Sequence, residues 1–454
     1  MNELEQEIDL LIEKYLPSKN KEKSELGEVF TPISMIDHMY DHFPPSVFKK
    51  NHTWLDPSTG IGNFMIVLFF KLMKHIPIIN PTKRAKHIIE NMLFMVEINP
   101  TNVTICKKIF HKLCPTATPN IFKGDFLLRK FPSSWPSSFN CIVGNPPYNI
   151  GGTGLEGTKR THIIFTQHAL ELTSGYVAYI CPPSYREANT TMNALFGRGH
   201  FHYIKIYGPA DTFNLFHIQG RVDTFIFKIG KSDAKSDAKK ETTINDEYNI
   251  THNIHLDLSR HIPNFGHTIF DKLYKAVLKF GTCNAFRNTE LSTIKSDTFG
   301  CNGKNKIMHL IVQEGRRVFK STKKHALTSH NKILINGLGI PYVFHDKQGK
   351  YGPSQSPIII LDPSKSLVQL LQSDLFPFIA WGLRITGNNN LPYIFDYIPN
   401  VTSGTFKTLS HIKSAFHLTI SEIQFITEHF QAYSYADKDI IQPCKKQSTK
   451  KNKK

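Results

Sequence analysis

The chain has 454 residues and a formal net charge of +18, from 55 Lys and Arg against 37 Asp and Glu. That length allows two or three domains with a large core, and the charge suits a polyanionic partner. Seven cysteines stand without a Cys-x-x-Cys pair, and neither a signal peptide nor an apolar run of membrane-spanning length is seen. A disulfide scaffold and a membrane protein are disfavoured. A soluble intracellular protein is expected, cytoplasmic or, in a eukaryotic host, nuclear.

Residues 1–23 read as an N-terminal helical extension, with Leu10-Leu11-Ile12 inside a charged stretch. From Thr53 the pattern is strand, acidic turn (Asp56-Pro57-Ser58-Thr59) and glycine loop (Gly60-Ile61-Gly62), then an apolar helix from about Asn63 to Lys74. Gly60 and Gly62 let the backbone approach a ligand, and the helix start offers unpaired N–H groups. A dinucleotide fingerprint needs a third glycine three residues after the second, where Met65 stands. The acid before the loop also suits a cationic or hydroxylated ligand better than a pyrophosphate. NAD and FAD are disfavoured.

Met92–Val96 reads as a second buried strand ending in Glu97-Ile98-Asn99-Pro100. An acid there can accept both hydroxyls of a ribose. The interval from the glycine loop exceeds the usual ~20 residues, and Pro77–Pro81 with a helical stretch over Thr82–Asn91 accounts for the excess. Cys106, His111 and Cys114 fall at helical spacing, so amphipathic packing is favoured over a zinc site and no metal is expected. A third strand-like piece, Asn120–Lys123, leads into Gly124-Asp125-Phe126-Leu127, where a carboxylate and a ring can read the edge and face of an adenine. One acid after a strand usually starts a turn. Three in succession argue for a shared site.

The apolar run Cys141-Ile142-Val143-Gly144 then meets Asn145-Pro146-Pro147-Tyr148. A buried strand ending in this corner presents an amide oxygen, a proline carbonyl and a flat ring at its carboxyl end, where open α/β sheets bind ligands. Two acceptors and a ring suit a planar group bearing an NH2. Pro-Pro alone would read as a strand terminator; the motifs upstream tip the balance.

In this combination the chain resembles an S-adenosylmethionine-dependent N6-adenine DNA methyltransferase of the gamma arrangement, as in restriction-modification methylases. The likeness covers roughly residues 24–230. Gly27-Glu28-Val29-Phe30-Thr31-Pro32 matches the family's first motif, with Phe30, Thr31 and Pro32 as cofactor contacts. The likeness adds Asp56, Pro57, Gly60 and Gly62 as the cofactor loop, Glu97 at the ribose, Ile98 as a further cofactor contact, and Asp125 and Phe126 at the adenine. It implies S-adenosyl-L-methionine as cofactor and double-stranded DNA as partner. A separate cognate restriction endonuclease is a further candidate partner; no nuclease signature is seen in the chain itself.

The expected fold is α/β, a doubly wound, mostly parallel seven-stranded methyltransferase sheet with a C-terminal α+β target-recognition domain. Thr161–Leu172 reads as an amphipathic helix and Gly175–Ile180 as a strand, with His202–Tyr207 and Arg221–Ile229 as the closing hairpin. Family members often place a ring before the last strand against the extruded base; Phe216 is the first candidate and Phe213 the second, with core packing of both as the alternative. The methyltransferase domain is expected over 1–230. Residues 231–247, with Lys-Ser-Asp-Ala twice, form a polar linker, 248–435 the recognition domain and 436–454 a basic tail. His267–Phe280 reads as a helix, Lys332–Asn336 and Pro357–Leu361 as strands, and Ser410–Ala432 as two short helices. Candidate DNA contacts are Arg316, Arg317, Lys320, Lys323 and Lys324 around Phe319, and a second loop holds Arg384 and Asn388–Asn390; a solvated basic loop is the alternative for the first group.

The expected chemistry starts from a poor nucleophile, an amine whose lone pair is delocalised into the base. Asn145 and the Pro146 carbonyl would take its two hydrogens while Tyr148 stacks on the extruded ring. RNA adenine and a protein glutamine amide are rival substrates, and cytosine N4 is a chemical neighbour whose enzymes more often begin the tetrapeptide with Ser. The Pro-Cys of cytosine-C5 enzymes has no credible counterpart, and a catalytically dead DNA-binding module is disfavoured by the intact motifs.

Overall fold

A computed structural model describes residues 10, 12, 31–150, 159–230, 240–287, 303–322, 324–354, 356–386, 392–401 and 408–442. Two compact units result, Met1–Phe265 and Gly266–Lys454.

The first unit is built on strands whose residues are apolar in unbroken runs, the pattern of parallel strands covered on both faces. These are β1 (Trp54–Asp56), β2 (Leu93–Glu97), β3 (Asn120–Lys123), β4 (Phe139–Gly144) and β5 (Thr173–Cys181), all mutually parallel where they pair. β6 (Gly199–Ile206) and β7 (Asp223–Ile229) complete an antiparallel closing hairpin, with β7 against β5. The sheet order is β3-β2-β1-β4-β5-β7-β6, followed by two further strands.

Successive side chains on a strand leave by opposite faces. Trp54, Met95, Cys141, Val143, Ala178 and Ile180 enter one buried cluster, together with helices α1 (Ile33–Asp41), α2 (Asn63–His75), α3 (Pro81–His87) and α4 (Pro100–Leu113). Leu55, Phe94, Val96, Ile142, Val177 and Tyr179 enter the other, under helix α5 (Thr161–Leu172). The doubly wound expectation therefore holds. Cys106, Ile109 and Phe110 of α4 are buried, as helical spacing predicts.

Two expectations for the first unit are corrected. Among the described residues the sheet has nine strands rather than seven: β8 (Thr242–Asn245) pairs parallel to β6, and β9 (Thr251–Ile254) antiparallel to β8. Thr242 and Ile244 are buried alternately, a period-two signal too short to stand out beside the polar residues that precede it. The first unit accordingly ends at Phe265 instead of residue 230. Lys205 of β6 holds the extension in place, its ammonium donating to Asn245 Oδ1 at 2.5 Å, Asn249 Oδ1 at 2.6 Å and Asp246 O at 3.2 Å.

Arg186 ties the last segment of the unit to the sheet. Its Nε donates to Asp223 Oδ2 at 2.6 Å, and its Nη1 to Asn264 Oδ1 at 2.9 Å and Ile262 O at 3.1 Å. Arg186 and Asp223 side chains are both fully buried.

Among its described residues the second unit carries two four-stranded sheets. One orders β10 (Phe286–Arg287), β16 (Ile358–Leu361), β13 (Lys332–Ile335) and β14 (Val343–Asp346); the other β15 (Tyr351–Pro353), β11 (Asn305–Val312), β12 (Gly315–Ser321) and β17 (Asp439–Ile441). Helix α6 (Pro209–Phe216) belongs to the first unit and α7 (His267–Phe280) to the second, where Ile269, Phe270, Leu273, Ala276 and Val277 are buried. Two short helices follow at Leu409–Ala415 and Ile420–His429. The basic tail expected from 436 is corrected at its start, because β17 pairs with β12; residues 443–454 lie outside the described residues. Among the described residues no helix is long and apolar enough to cross a membrane.

Breaking a buried ion pair strands the remaining charge. Arg186→Met is expected to lower equilibrium stability of the unit by about 3–5 kcal/mol in urea unfolding, because Asp223 keeps its burial and loses its partner.

Candidate active site

The strand order reverses at β1, which lies between β2 and β4, so the carboxyl ends of these strands frame a crevice. The acids and amides singled out from sequence sit at those ends. Asp56 closes β1 and is fully buried; Ser58 N donates to its Oδ1 at 3.0 Å, and Oδ2 has no hydrogen-bond partner. Burial pushes its carboxyl up to about 7, the Ser58 N–H opposing and the neighbouring Glu97 charge adding to the rise. A methyl placed on Gly144 of β4 would lie 2.8 Å from Asp56 Oδ1, so the glycine leaves the space that the Asp56 carboxyl occupies.

The glycine loop turns on Gly60 at φ +58° and Gly62 at φ +103°. A Cβ at Gly62 would meet Cys106 Sγ at 2.9 Å, so the loop is pressed against α4. Glu97, at the end of β2, spans the loop: its Oε2 accepts from Gly60 N at 2.7 Å and its Oε1 from Asn99 N at 2.8 Å. Ile98 beside it is 63 % exposed, an apolar surface at the rim. Asp125 accepts from Leu127 N at 2.8 Å and opens the short turn after β3.

The Asn-Pro-Pro-Tyr corner follows β4 directly. Asn145 Nδ2 donates to Thr31 Oγ1 at 3.0 Å, and Ser58 Oγ donates to the Asn145 carbonyl at 3.3 Å. Pro32 starts α1, and Asn63 at the head of α2 donates from Nδ2 to Thr31 O at 3.3 Å, leaving its buried Oδ1 without a partner. Thr31 thus joins the corner to the glycine-loop helix. Tyr148 is half-buried with its hydroxyl buried, and burial pushes that phenol well above its usual range. Pro57 and Pro146 are buried and Pro147 is half-buried. Phe30 lies outside the described residues.

Several expected residues are placed differently. Phe126 packs in the core at 2 % exposure, its ring 5.1 Å from that of Phe165, so it supports Asp125 from behind rather than offering an open face. Phe216, the first choice for base stacking, is buried in the core at 2 %, whereas Phe213 on the same helix is 53 % exposed. In the second unit Arg316 is buried and engaged with Asp437 and Asp439, with its Nε 2.9 Å from Asp439 Oδ1. It is therefore no free contact. Arg317, Lys320 and Lys324 are exposed; Lys323 lies outside the described residues. Arg384 is buried too, 4.1 Å over the Trp381 ring, and Asn388–Asn390 fall outside the described residues.

Sequence reasoning missed Asn63 and Ser58 as partners of the site, although both lie inside the glycine-loop motif it had identified. The donor set fits S-adenosylmethionine. Asp56 Oδ2 and Asn63 Oδ1 are buried acceptors with no partner, suited to an ammonium; Glu97 lies where a ribose can be read, and Ile98 offers an apolar edge to an adenine.

Residues 8–183 match the family model described as N-6 DNA methylase. No curated protein matches the sequence. Among solved structures, the type IIL restriction-modification enzyme MmeI in complex with DNA is 11 % identical with a TM-score of 0.51, over 90 % of this chain and 79 % of that one. A modification subunit attributed to a type I restriction enzyme from Vibrio vulnificus YJ016 is 17 % identical, with a TM-score of 0.40 over 54 % and 52 %. The methyltransferase subunit of a type I restriction-modification system from Streptococcus thermophilus is 14 % identical, with a TM-score of 0.36 over 51 % and 51 %. The chain spans about half the length of these two subunits. The likeness to MmeI is one of fold.

The folded protein holds the Asp56 proton to about pH 7, while an unfolded aspartate releases it near 3.8. Between those values the folded state binds more protons, so this residue's contribution to stability falls as pH rises through the window. Asp56→Asn is expected to match the parent near pH 4 and to exceed it at pH 8 by a few kcal/mol, roughly 1.4 per pH unit of the shift. Denaturant midpoints across that range read the difference.

Proposed function

We propose, from the match of residues 8–183 to the family model described as N-6 DNA methylase, that the chain is a site-specific DNA methyltransferase. It moves the methyl group of S-adenosylmethionine to the N6 amine of an adenine extruded from duplex DNA. One observation carries this reading: Asn145 stands at the carboxyl end of β4, next to the crevice, with its NH2 tied to Thr31 Oγ1. That tie sets the amide so that Oδ1 is its accepting end toward a substrate amine.

When bound, the cofactor supplies a methyl group on a cationic sulfur. Asp56 and Asn63 would hold its amino-acid amine, Glu97 the ribose, and Asp125 with Ile98 the adenine. At the reacting centre, Asn145 Oδ1 and the Pro146 carbonyl accept hydrogen bonds from the two N–H groups of the target amine. Doing so draws the nitrogen toward tetrahedral geometry and localises its lone pair, so positioning and fixed dipoles carry the acceleration. No general base is required before transfer, and the methylated nitrogen loses its surplus proton to water afterwards. Tyr148 stacks on one face of the extruded base, a contact that contributes roughly 1–3 kcal/mol against the cost of extrusion, and exposed Phe213 replaces Phe216 as the candidate for the other face.

The second unit supplies target recognition in this reading. Arg317, Lys320 and Lys324 are the contacts to phosphate or base edges, with the formal charge of +18 drawing the polyanion in. A separate restriction endonuclease is the partner such a methylase would protect against.

Asn145→Ala tests the assignment. Transfer of tritiated methyl groups to unmodified duplex DNA is expected to fall at least ~100-fold, with cofactor affinity by calorimetry nearly unchanged. A variant with near-parental turnover would remove Asn145 from the mechanism.

A further inference from the structure

The Asn-Pro-Pro-Tyr corner needs something on its far side to hold it, because prolines supply no N–H groups with which to fasten themselves. Thr31 and Ser58 hold its first residue. Its last residue is held by a histidine that no sequence motif singled out. His162 Nδ1 lies 3.1 Å from the Tyr148 carbonyl oxygen, and its Nε2 3.3 Å from Ser184 Oγ. A carbonyl oxygen only accepts, so Nδ1 carries the proton and Nε2 is left to accept from the serine hydroxyl. The His162 ring also stands edge-on to the Tyr148 ring, with centroids 6.4 Å apart at 82°.

Both ends of this relay are fixed. His162 is 4 % exposed, at the second position of α5, just beyond a two-residue ladder pairing Asn149 with Arg160 and Ile150 with Lys159. Ser184 is 5 % exposed and sits in the turn after β5, two residues before Arg186 and its buried pair with Asp223. The ring stays neutral, since burial holds its pKa below the usual histidine range.

We infer that His162 is a positioning residue for methyl transfer, which fixes the Tyr148 carbonyl and ring by relaying the corner to the Pro183–Arg186 turn. It touches neither base nor cofactor and acts through Tyr148. This inference rests on the proposed methyltransferase reading for its kinetic consequence and on geometry alone for its structural one.

Two amide substitutions separate the roles. Asparagine places a donor near the Nδ1 position and keeps the bond to Tyr148; glutamine carries its donor farther out and loses it. His162→Gln is expected to lower kcat for DNA methylation roughly 10- to 100-fold, the effect of displacing a reacting group by about an ångström. His162→Asn should retain most of the rate, and S-adenosylmethionine affinity should be unchanged in both. Hydrogen exchange at the Tyr148–Ile150 amides should quicken in His162→Gln and not in His162→Asn, with thermal melts confirming that both variants fold. Equal exchange in the two variants and the parent would overturn the inference, as would equal loss of kcat in both. Should the parent fail to methylate DNA while the exchange difference holds, the methyltransferase reading falls and the positioning stands.

Discussion

The site depends on how closely β1 and β4 approach at their carboxyl ends. Parallel strands run about 4.8 Å apart, and Leu55 pairs in register with Ile142. Asp56 and the Gly144-Asn145 corner therefore emerge side by side. No side chain fits at Gly144, where a Cβ would sit 2.8 Å from the Asp56 carboxylate. The carboxylate gains burial from this contact, and Asn145 gains a fixed exit from the sheet. Thr31 and Asn63 then lock the corner to the head of α2. Backbone spacing, rather than a strong bond, sets the geometry.

That arrangement has an energetic cost. A fully buried carboxyl pushed up to about 7 is a group the fold would hold more readily in neutral form, and the Asn63 amide oxygen beside the loop is equally unsatisfied. Unsatisfied buried acceptors gathered at a switch point are sites where a ligand can recover the loss. Stability and binding thus pull in opposite directions at Asp56. Elsewhere in the first unit the buried charges of Arg186 and Lys205 are met by several acceptors each.

Much of this was legible in the sequence, for local reasons. Strand ends followed by Asp56, Glu97, Asp125 and Asn145 are marked by apolar runs and turn chemistry a few residues long, and the structure places all four at carboxyl ends of β1 to β4. What could not be read depends on distant partners. Arg316 looked like a DNA contact, but it meets Asp437 and Asp439, which lie 121 and 123 residues further along the chain. Phe213 and Phe216 lie on one short helix, and only tertiary packing decides which ring is covered. His162 carries no signature because its role comes from the folded position of a carbonyl. β8 was hidden by its brevity and by the polar stretch before it.

The most direct measurement is the identity of the product. The purified chain is incubated with S-adenosylmethionine and unmodified duplex DNA, the DNA is digested to nucleosides, and these are separated by mass spectrometry. The account predicts N6-methyldeoxyadenosine as the only modified nucleoside. Methylation at cytosine N4, or an unmodified digest from protein that demonstrably binds the cofactor, would contradict it.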